Sequence, residues 1–276
     1  VEIDGIPVQT LAESEKRFSC LLWGPAGCGK TVFACSIGGT KLLINFDPDG
    51  PTSLGARDDV VLIDLSGEAK EVVDKFKIDD DPLLPLGGKQ YRLSAIIEKL
   101  NISCVIVDSC SAFAQRATDK GIAVTKGATV ERPSPGAYGA RNALTLRMMS
   151  GILRTTKRLN RHVIFITHED DSGVRDQDGN LLHITMLIGG KLASNTSLQI
   201  SEVWHMSDDG KQRKIMVRPG RMRKPMKTRM FNATKDIEFM LKYDQEGKDA
   251  PYGKHSLKEF IEEWENNGRG KIAVPK

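Results

Sequence analysis

The chain has 276 residues, with 40 Lys+Arg against 36 Asp+Glu for a formal net charge of +4; 28% of its residues are charged and 39% hydrophobic. That balance suits a globular protein, excludes a disordered or collagen-like chain, and at this length allows one large α/β domain or two small ones. The longest stretch free of Lys, Arg, Asp and Glu is twelve residues, too short to cross a bilayer as a helix. The sequence does not open on a basic-then-apolar leader pattern. Its five cysteines (Cys20, Cys28, Cys35, Cys104, Cys110) form no CxxC pair and mostly lie in or beside apolar runs. Buried thiols in a reducing, cytoplasmic setting are therefore expected, not a disulfide scaffold.

Taken in chain order, residues 18–23, 41–46, 60–64, 103–107 and 163–167 are short apolar runs without clean alternation, the pattern of strands covered on both faces by helices. Helical spacing is predicted over 30–37, 91–100 and 143–159, the last with Leu144, Met148, Ile152, Thr156 and Leu159 on one side. Strand–helix alternation predicts a mostly parallel α/β sheet with helices on both faces. Beyond residue 195 the pattern turns β-rich: 197–206 and 213–218 read as strands around a turn at 207–211, and Met230 and 237–241 as further short strands on an antiparallel edge. Residues 256–264 predict a short amphipathic helix, with Ser256 and Glu259 at capping-box spacing. The expected division is an N-terminal extension over 1–17, a core over 18–245 and a C-terminal tail over 246–276. Two Gly/Pro-punctuated segments, 117–140 and 169–190, read as long irregular loops leaving one edge of the sheet, where ligands bind in open α/β sheets.

Residues 24–31, Gly-Pro-Ala-Gly-Cys-Gly-Lys-Thr, match G-x-x-x-x-G-K-[ST] in full. Phosphate oxygens need several donors converging at close range, so the backbone must curl its N–H groups inward; glycines at 24, 27 and 29 permit that path. Gly24, Pro25, Ala26, Gly27, Cys28, Gly29, Lys30 and Thr31 are thus the expected nucleotide cradle. Lys30 would reach the β- and γ-phosphates and the Thr31 hydroxyl would ligate Mg²⁺. Asp108 closes the apolar run 103–107 and is the expected acid on the metal side. Asp47 and Asp49, after the second strand, can lie over the γ-phosphate to orient a water, or simply form an Asp-Pro-Asp-Gly turn. His168, at the tip of 163–167, can touch the γ-phosphate or serve the fold.

From residue 18 to about 241 this order of parts resembles the core of RecA-like recombinases: the phosphate loop, an acid two positions after Asn45, Val105-Ile-Val-Asp108-Ser109, an irregular segment, a helix with Arg147-Met-Met149, Ile164-Phe-Ile-Thr-His168, and a second irregular segment ending in Gly189-Gly190. More narrowly it is similar to phage single-strand annealing ATPases with a shortened RecA core. The resemblance implies a catalytic set of Lys30, Asp47 and His168, with Asp47 in place of the family's glutamate and His168 in place of its phosphate-sensing glutamine. It implies that 117–140 and 169–190 are DNA-binding loops, and that Arg218 and Arg221 lie near the basic fingers offered to a neighbouring subunit's nucleotide.

Charge is distributed unevenly. Residues 211–230 hold nine Lys/Arg and no acid, and residues 141–161 hold six and no acid. Such clusters attract phosphate backbones through counterion release, or merely solvate the surface. The sequence therefore leads to an ATP- and Mg²⁺-dependent ATPase that binds single-stranded DNA in recombination or annealing, self-associates into a filament or ring, and has a single-strand-binding protein as a further partner; no membrane partner is expected. For a phage-encoded chain the compartment would be the host cytoplasm. Two other readings share the loop: a small-molecule or nucleotide kinase with 117–140 as its lid, and a non-hydrolysing ATP-gated loader.

Overall fold

A computed structural model describes residues 2–3, 6–7, 17–48, 50–67, 73, 76, 81–210, 212–218, 220, 222–232, 237–239 and 256–273. Among these, nine strands form the main sheet: β1 (Ser19–Gly24), β2 (Lys41–Asn45), β3 (Val60–Asp64), β4 (Cys104–Asp108), β5 (His162–Arg175), β6 (Leu181–Met186), β7 (Glu202–Asp208), β8 (Arg213–Met216) and β9 (Ile237–Phe239). The lateral order is β9-β8-β7-β1-β5-β4-β2-β3, with β6 paired to the outer part of β5. From β7 to β3 every neighbouring pair is parallel, and β8 and β9 add an antiparallel edge. This is the α/β arrangement that the uninterrupted apolar runs predict. β1, β2 and β4 are buried along their whole length, which is why they do not alternate.

Each face of the sheet carries its own core. On one side Leu21, Trp23, Ile44, Val105 and Phe165 pack with residues of three helices: α2 (Leu93–Lys99), α3 (Cys110–Val124) and α4 (Pro135–Arg158). On the other, Leu22, Leu43, Ile106 and Ile166 pack with the phosphate-loop helix α1 (Lys30–Ala34). The five cysteines are buried and free, distributed over these two cores. Helix α5 (Gly190–Gln199) precedes β7.

The C-terminal helix α6 (Leu257–Asn266) completes the second core. Phe260 meets Phe33 and Phe231, and Phe231 in turn meets Trp204. The predicted capping box is present in both directions: the Ser256 hydroxyl accepts from the Glu259 N–H, and the Glu259 carboxylate accepts from the Ser256 N–H. Burying Leu257, Phe260 and Ile261 is worth about 1.5–3 kcal/mol per side chain, so docking outweighs the cap. Ser256→Ala is accordingly expected to cost about 1 kcal/mol, read as a lower denaturation midpoint without loss of the fold.

Several sequence expectations need correction. Residues 117–140 are not one irregular loop: α3 runs to Val124 and α4 begins at Pro135, capped by the Ser134 side chain. Gly121 is a helix–helix contact, since a Cβ there would lie 2.5 Å from the Ala137 carbonyl oxygen. Residues 169–190 are also largely regular, forming the β5–β6 antiparallel hairpin and the start of α5. Gly173 (φ +61°) lies at its irregular register, where a Cβ would press on Leu181 and the His183 carbonyl. Residues 197–199 belong to α5, so the expected strand 197–206 begins only at Glu202. Helix α1 ends at Ala34, not 37.

Candidate functional site

The parallel strands deliver their carboxyl ends to one edge, and the expected site residues assemble there. The phosphate loop leaves β1 with Gly24 packed so tightly that a Cβ would lie 1.9 Å from the Met206 carbonyl oxygen of β7. Gly27 (φ +76°) and Gly29 (φ +88°) take backbone angles that disfavour other residues, and a Cβ at Gly27 would point into open space. Lys30 is 5% exposed, and its ammonium donates to the carbonyls of Gly24 (3.0 Å) and Pro25 (2.6 Å). From β8, the Arg213 Nε donates to the Cys28 carbonyl at 3.0 Å, bracing the loop from below. The Cys28 thiol is buried against the Met206 carbonyl, and burial pushes its pKa up.

Thr31 and Asp108 converge, the hydroxyl donating to the carboxylate Oδ2 at 2.5 Å. Burial raises the Asp108 pKa; the Thr31 hydrogen bond opposes this and the nearby charge of Asp47 adds to it. The Asp108 carbonyl accepts from the N–H groups of Phe46 (2.5 Å) and Asp47 (3.3 Å), which places the Asp47 backbone beside Asp108. The Asp108–Ser109 peptide is cis.

Asp47 and His168, 121 positions apart, meet at 3.2 Å between Oδ2 and Nε2. The buried Asn45 side chain holds the Asp47 turn, donating to the Asp47 carbonyl (2.7 Å) and accepting from its N–H (3.2 Å). His168 is fixed by its backbone: its N–H donates to Ser111 Oγ at 2.9 Å, and its carbonyl accepts from the N–H of Leu187, just past β6 at the base of the hairpin, at 2.8 Å. Beside the pair lies a cavity of about 410 Å³ lined by Asp47, Ser111, Gln115, Arg141, His168 and Asp170 among others. Burial lowers the pKa of the Arg141 guanidinium, which lies over the Tyr138 ring.

Of the expected residues, the structure thus brings together 24–31, Asp108, Asp47 and His168. Arg218 is exposed, while Asp49 and Arg221 lie outside the described residues. Sequence reasoning gave no role at this site to Asn45, Ser111 or Asp170, and placed Arg141 only beside the candidate lid and in a basic cluster, and Arg213 only in a basic cluster. Of these, Asn45 left a trace as a polar residue directly after the apolar run Leu42-Leu43-Ile44.

The basic cluster 211–230 also looks different once folded. Arg213 pairs with Asp208 and Lys214 with Asp209. Arg223 lies 3.7 Å from Glu169, and the Lys227 ammonium donates to the Ser197 and Ile200 carbonyls. Arg218, Lys224 and Arg229 are exposed. On α4, Arg147, Arg154, Lys157 and Arg158 are exposed, opposite buried Met148, Ile152 and Thr156.

With a phosphate loop on a central parallel strand and an acid from a second strand against its threonine, the fold and site define a P-loop nucleotide-hydrolase type of domain. The family described as AAA domain matches residues 16–229, and the chain belongs to that family. No curated protein matches the chain. Among the described residues no helix is long and apolar enough to cross a membrane.

Proposed function

We propose that the chain is a Mg²⁺-dependent ATPase whose turnover responds to single-stranded DNA, with an annealing or recombination role of the kind its resemblance implies. One observation carries the reading: Thr31 from the start of α1, Asp108 from the end of β4, Asp47 from the turn after β2 and His168 from the middle of β5 meet at one locus beside Lys30, and the His168 carbonyl is bonded to Leu187 at the base of the β5–β6 hairpin. The residues fit the missing groups. Gly27, where a Cβ would meet open space, leaves room for a polyphosphate. The Thr31 hydroxyl and Asp108 carboxylate are hard oxygen donors of the type Mg²⁺ prefers.

In this reading Gly27, Gly29 and Lys30 bind the phosphates, and Thr31 with Asp108 holds the metal, which when bound neutralises charge developing on the transferred phosphoryl group. Asp47 orients the attacking water, and the His168 imidazole, now against Asp47, contacts the terminal phosphate and passes its presence to Leu187 and the hairpin. Arg218 and Arg221 complete the site of a neighbouring copy in a filament or ring. Exposed Arg218, Lys224 and Arg229 supply part of the polyanion contact.

The deciding experiment is ATP hydrolysis with and without single-stranded DNA. Stimulation is expected, with no stimulation overturning the reading. Three phosphate contacts give a salt slope of about −2, so DNA affinity should fall about tenfold to twentyfold between about 50 and 200 mM salt; a salt-independent affinity would contradict the electrostatic footprint. The cavity beside Asp47 supports a second reading, a phosphotransferase with its acceptor held by Gln115, Arg141 and Asp170. Transfer of label from ATP to a nucleoside or nucleotide, without stimulation by DNA, would select it.

A further inference from the structure

Directly after His168 on β5, Glu169 is 7% exposed in its side chain and bonded at 2.5 Å to Nε2 of His205, which is fully buried on β7. The His205 ring stands edge-on to the Trp23 ring, centroids 4.4 Å apart, one residue before the phosphate loop begins. The same Glu169 oxygen, Oε2, also faces the Arg223 guanidinium at 3.7 Å. Arg223 belongs to the basic segment and bridges by its backbone to Ile184 of β6: Ile184 N–H donates to the Met222 carbonyl and Lys224 N–H to the Ile184 carbonyl. One carboxylate therefore ties together the phosphate-loop strand through His205 and Trp23, the hairpin through β5, and the basic segment through Arg223.

This cluster is poorly built as a stabiliser. Trp23 Nε1, His205 Nδ1, Arg223 Nε and the neighbouring His168 Nδ1 are all buried without a hydrogen-bond partner. Burying a charged pair is weakly favourable at best even when every atom is satisfied. Burial holds the His205 pKa below its ordinary value, so a neutral imidazole donates from Nε2 to the Glu169 carboxylate. The carboxylate then keeps a full negative charge that, among the described residues, Arg223 faces at 3.7 Å, and Arg223 is a third exposed and open to an approaching anion.

We propose that Glu169 and His205 are a positioning pair that, through Arg223, couples a polyanion on the basic segment to the placement of His168 at the terminal phosphate. This rests on the DNA-responsive ATPase reading above. A phosphate that draws Arg223 outward draws the paired Glu169 carboxylate with it. Glu169 shares its backbone with His168, so the imidazole shifts relative to Asp47. Neither Glu169 nor His205 touches the reacting atoms; both act on His168.

The test compares the full-length wild type with Glu169→Gln and Arg223→Gln, using single-stranded oligo(dT) as probe and measuring oligo(dT) affinity, KM for ATP and kcat at saturating oligo(dT). Both variants are expected to keep KM for ATP and the unstimulated rate within about threefold and to lose about tenfold of the stimulated kcat. Arg223→Gln, at a partly exposed position, decides the matter if Glu169→Gln fails to fold. A stimulated wild type whose variants reach the same kcat at saturation, with only weaker oligo(dT) affinity, would make Arg223 a plain phosphate contact and overturn this inference alone. A wild type that oligo(dT) does not stimulate overturns the DNA reading and this inference with it.

Discussion

Replacing Lys30 by Ala is expected to lower ATP turnover by about 10²–10³-fold, the typical penalty for removing one preorganised donor aimed at developing charge. Lys30 is 5% exposed and its ammonium rests on the Gly24 and Pro25 carbonyls; in the proposed mechanism it exchanges those bonds for phosphate oxygens. Negative charge on the oxygens that Lys30 contacts grows as the bond to the leaving group breaks, so the loss should fall more on kcat than on KM. Lys30→Arg should not restore activity. A planar fork is wider than an ammonium, and it would have to enter a space bounded by two carbonyls and the Cys28 sulfur 3.8 Å away. Steady-state hydrolysis together with equilibrium ATP binding checks this; turnover within about threefold of wild type in Lys30→Ala would remove the lysine from the mechanism.

How far the chain could be read without coordinates depended on whether each signal was local. The phosphate loop is contiguous and its donors are backbone groups, so eight residues in a row specify it. The strands were legible because helices cover both sheet faces, so β2 and β4 carry runs of apolar residues without alternation (Leu42–Ile44 and Cys104–Val107). The glycines misled. Gly121 and Gly173 read as loop punctuation, yet one lets α3 approach α4 and the other fits the irregular hairpin. Helix α5 was missed because, of its residues whose side chains are described, only Leu192, Ala193 and Thr196 are buried, too sparse a stripe to show against Ser and Asn. The basic run 211–230 looked like a uniform patch, but its counter-charges come from elsewhere in the chain: Glu169 for Arg223, and Asp208 and Asp209 for Arg213 and Lys214. The Asp47–His168 contact, and the Asn45 side chain that holds it, depend on β2, β4 and β5 lying side by side, which no spacing reveals.

Asp108→Asn is expected to separate stability from activity in opposite directions. Burial raises the Asp108 pKa above 3.8, against the Thr31 hydrogen bond and with the help of Asp47's charge. The folded chain therefore holds the Asp108 proton to higher pH than the unfolded chain does. Where the folded state binds more protons, stability falls as pH rises. Asp108's contribution is thus fully favourable below its unfolded pKa and is lost as pH climbs through the raised folded value. Without nucleotide at neutral pH the wild type bears an ionised carboxylate that is 2% exposed; the asparagine variant does not, and its amide oxygen can still accept from Thr31. The nucleotide-free variant should therefore melt above the wild type at neutral pH, with the gap closing as the solution is acidified toward the unfolded pKa. Turnover should fall at least about a hundredfold, because a neutral amide is a weak ligand for Mg²⁺ and cannot balance its charge. The extra thermal stability that Mg²⁺ and ATP give the wild type should shrink in the variant, since it measures binding to the folded state. Melting curves across pH, with and without Mg²⁺·ATP, read all three. A nucleotide-free Asp108→Asn protein that melts below the wild type at neutral pH would show that the carboxylate serves the fold and not the metal.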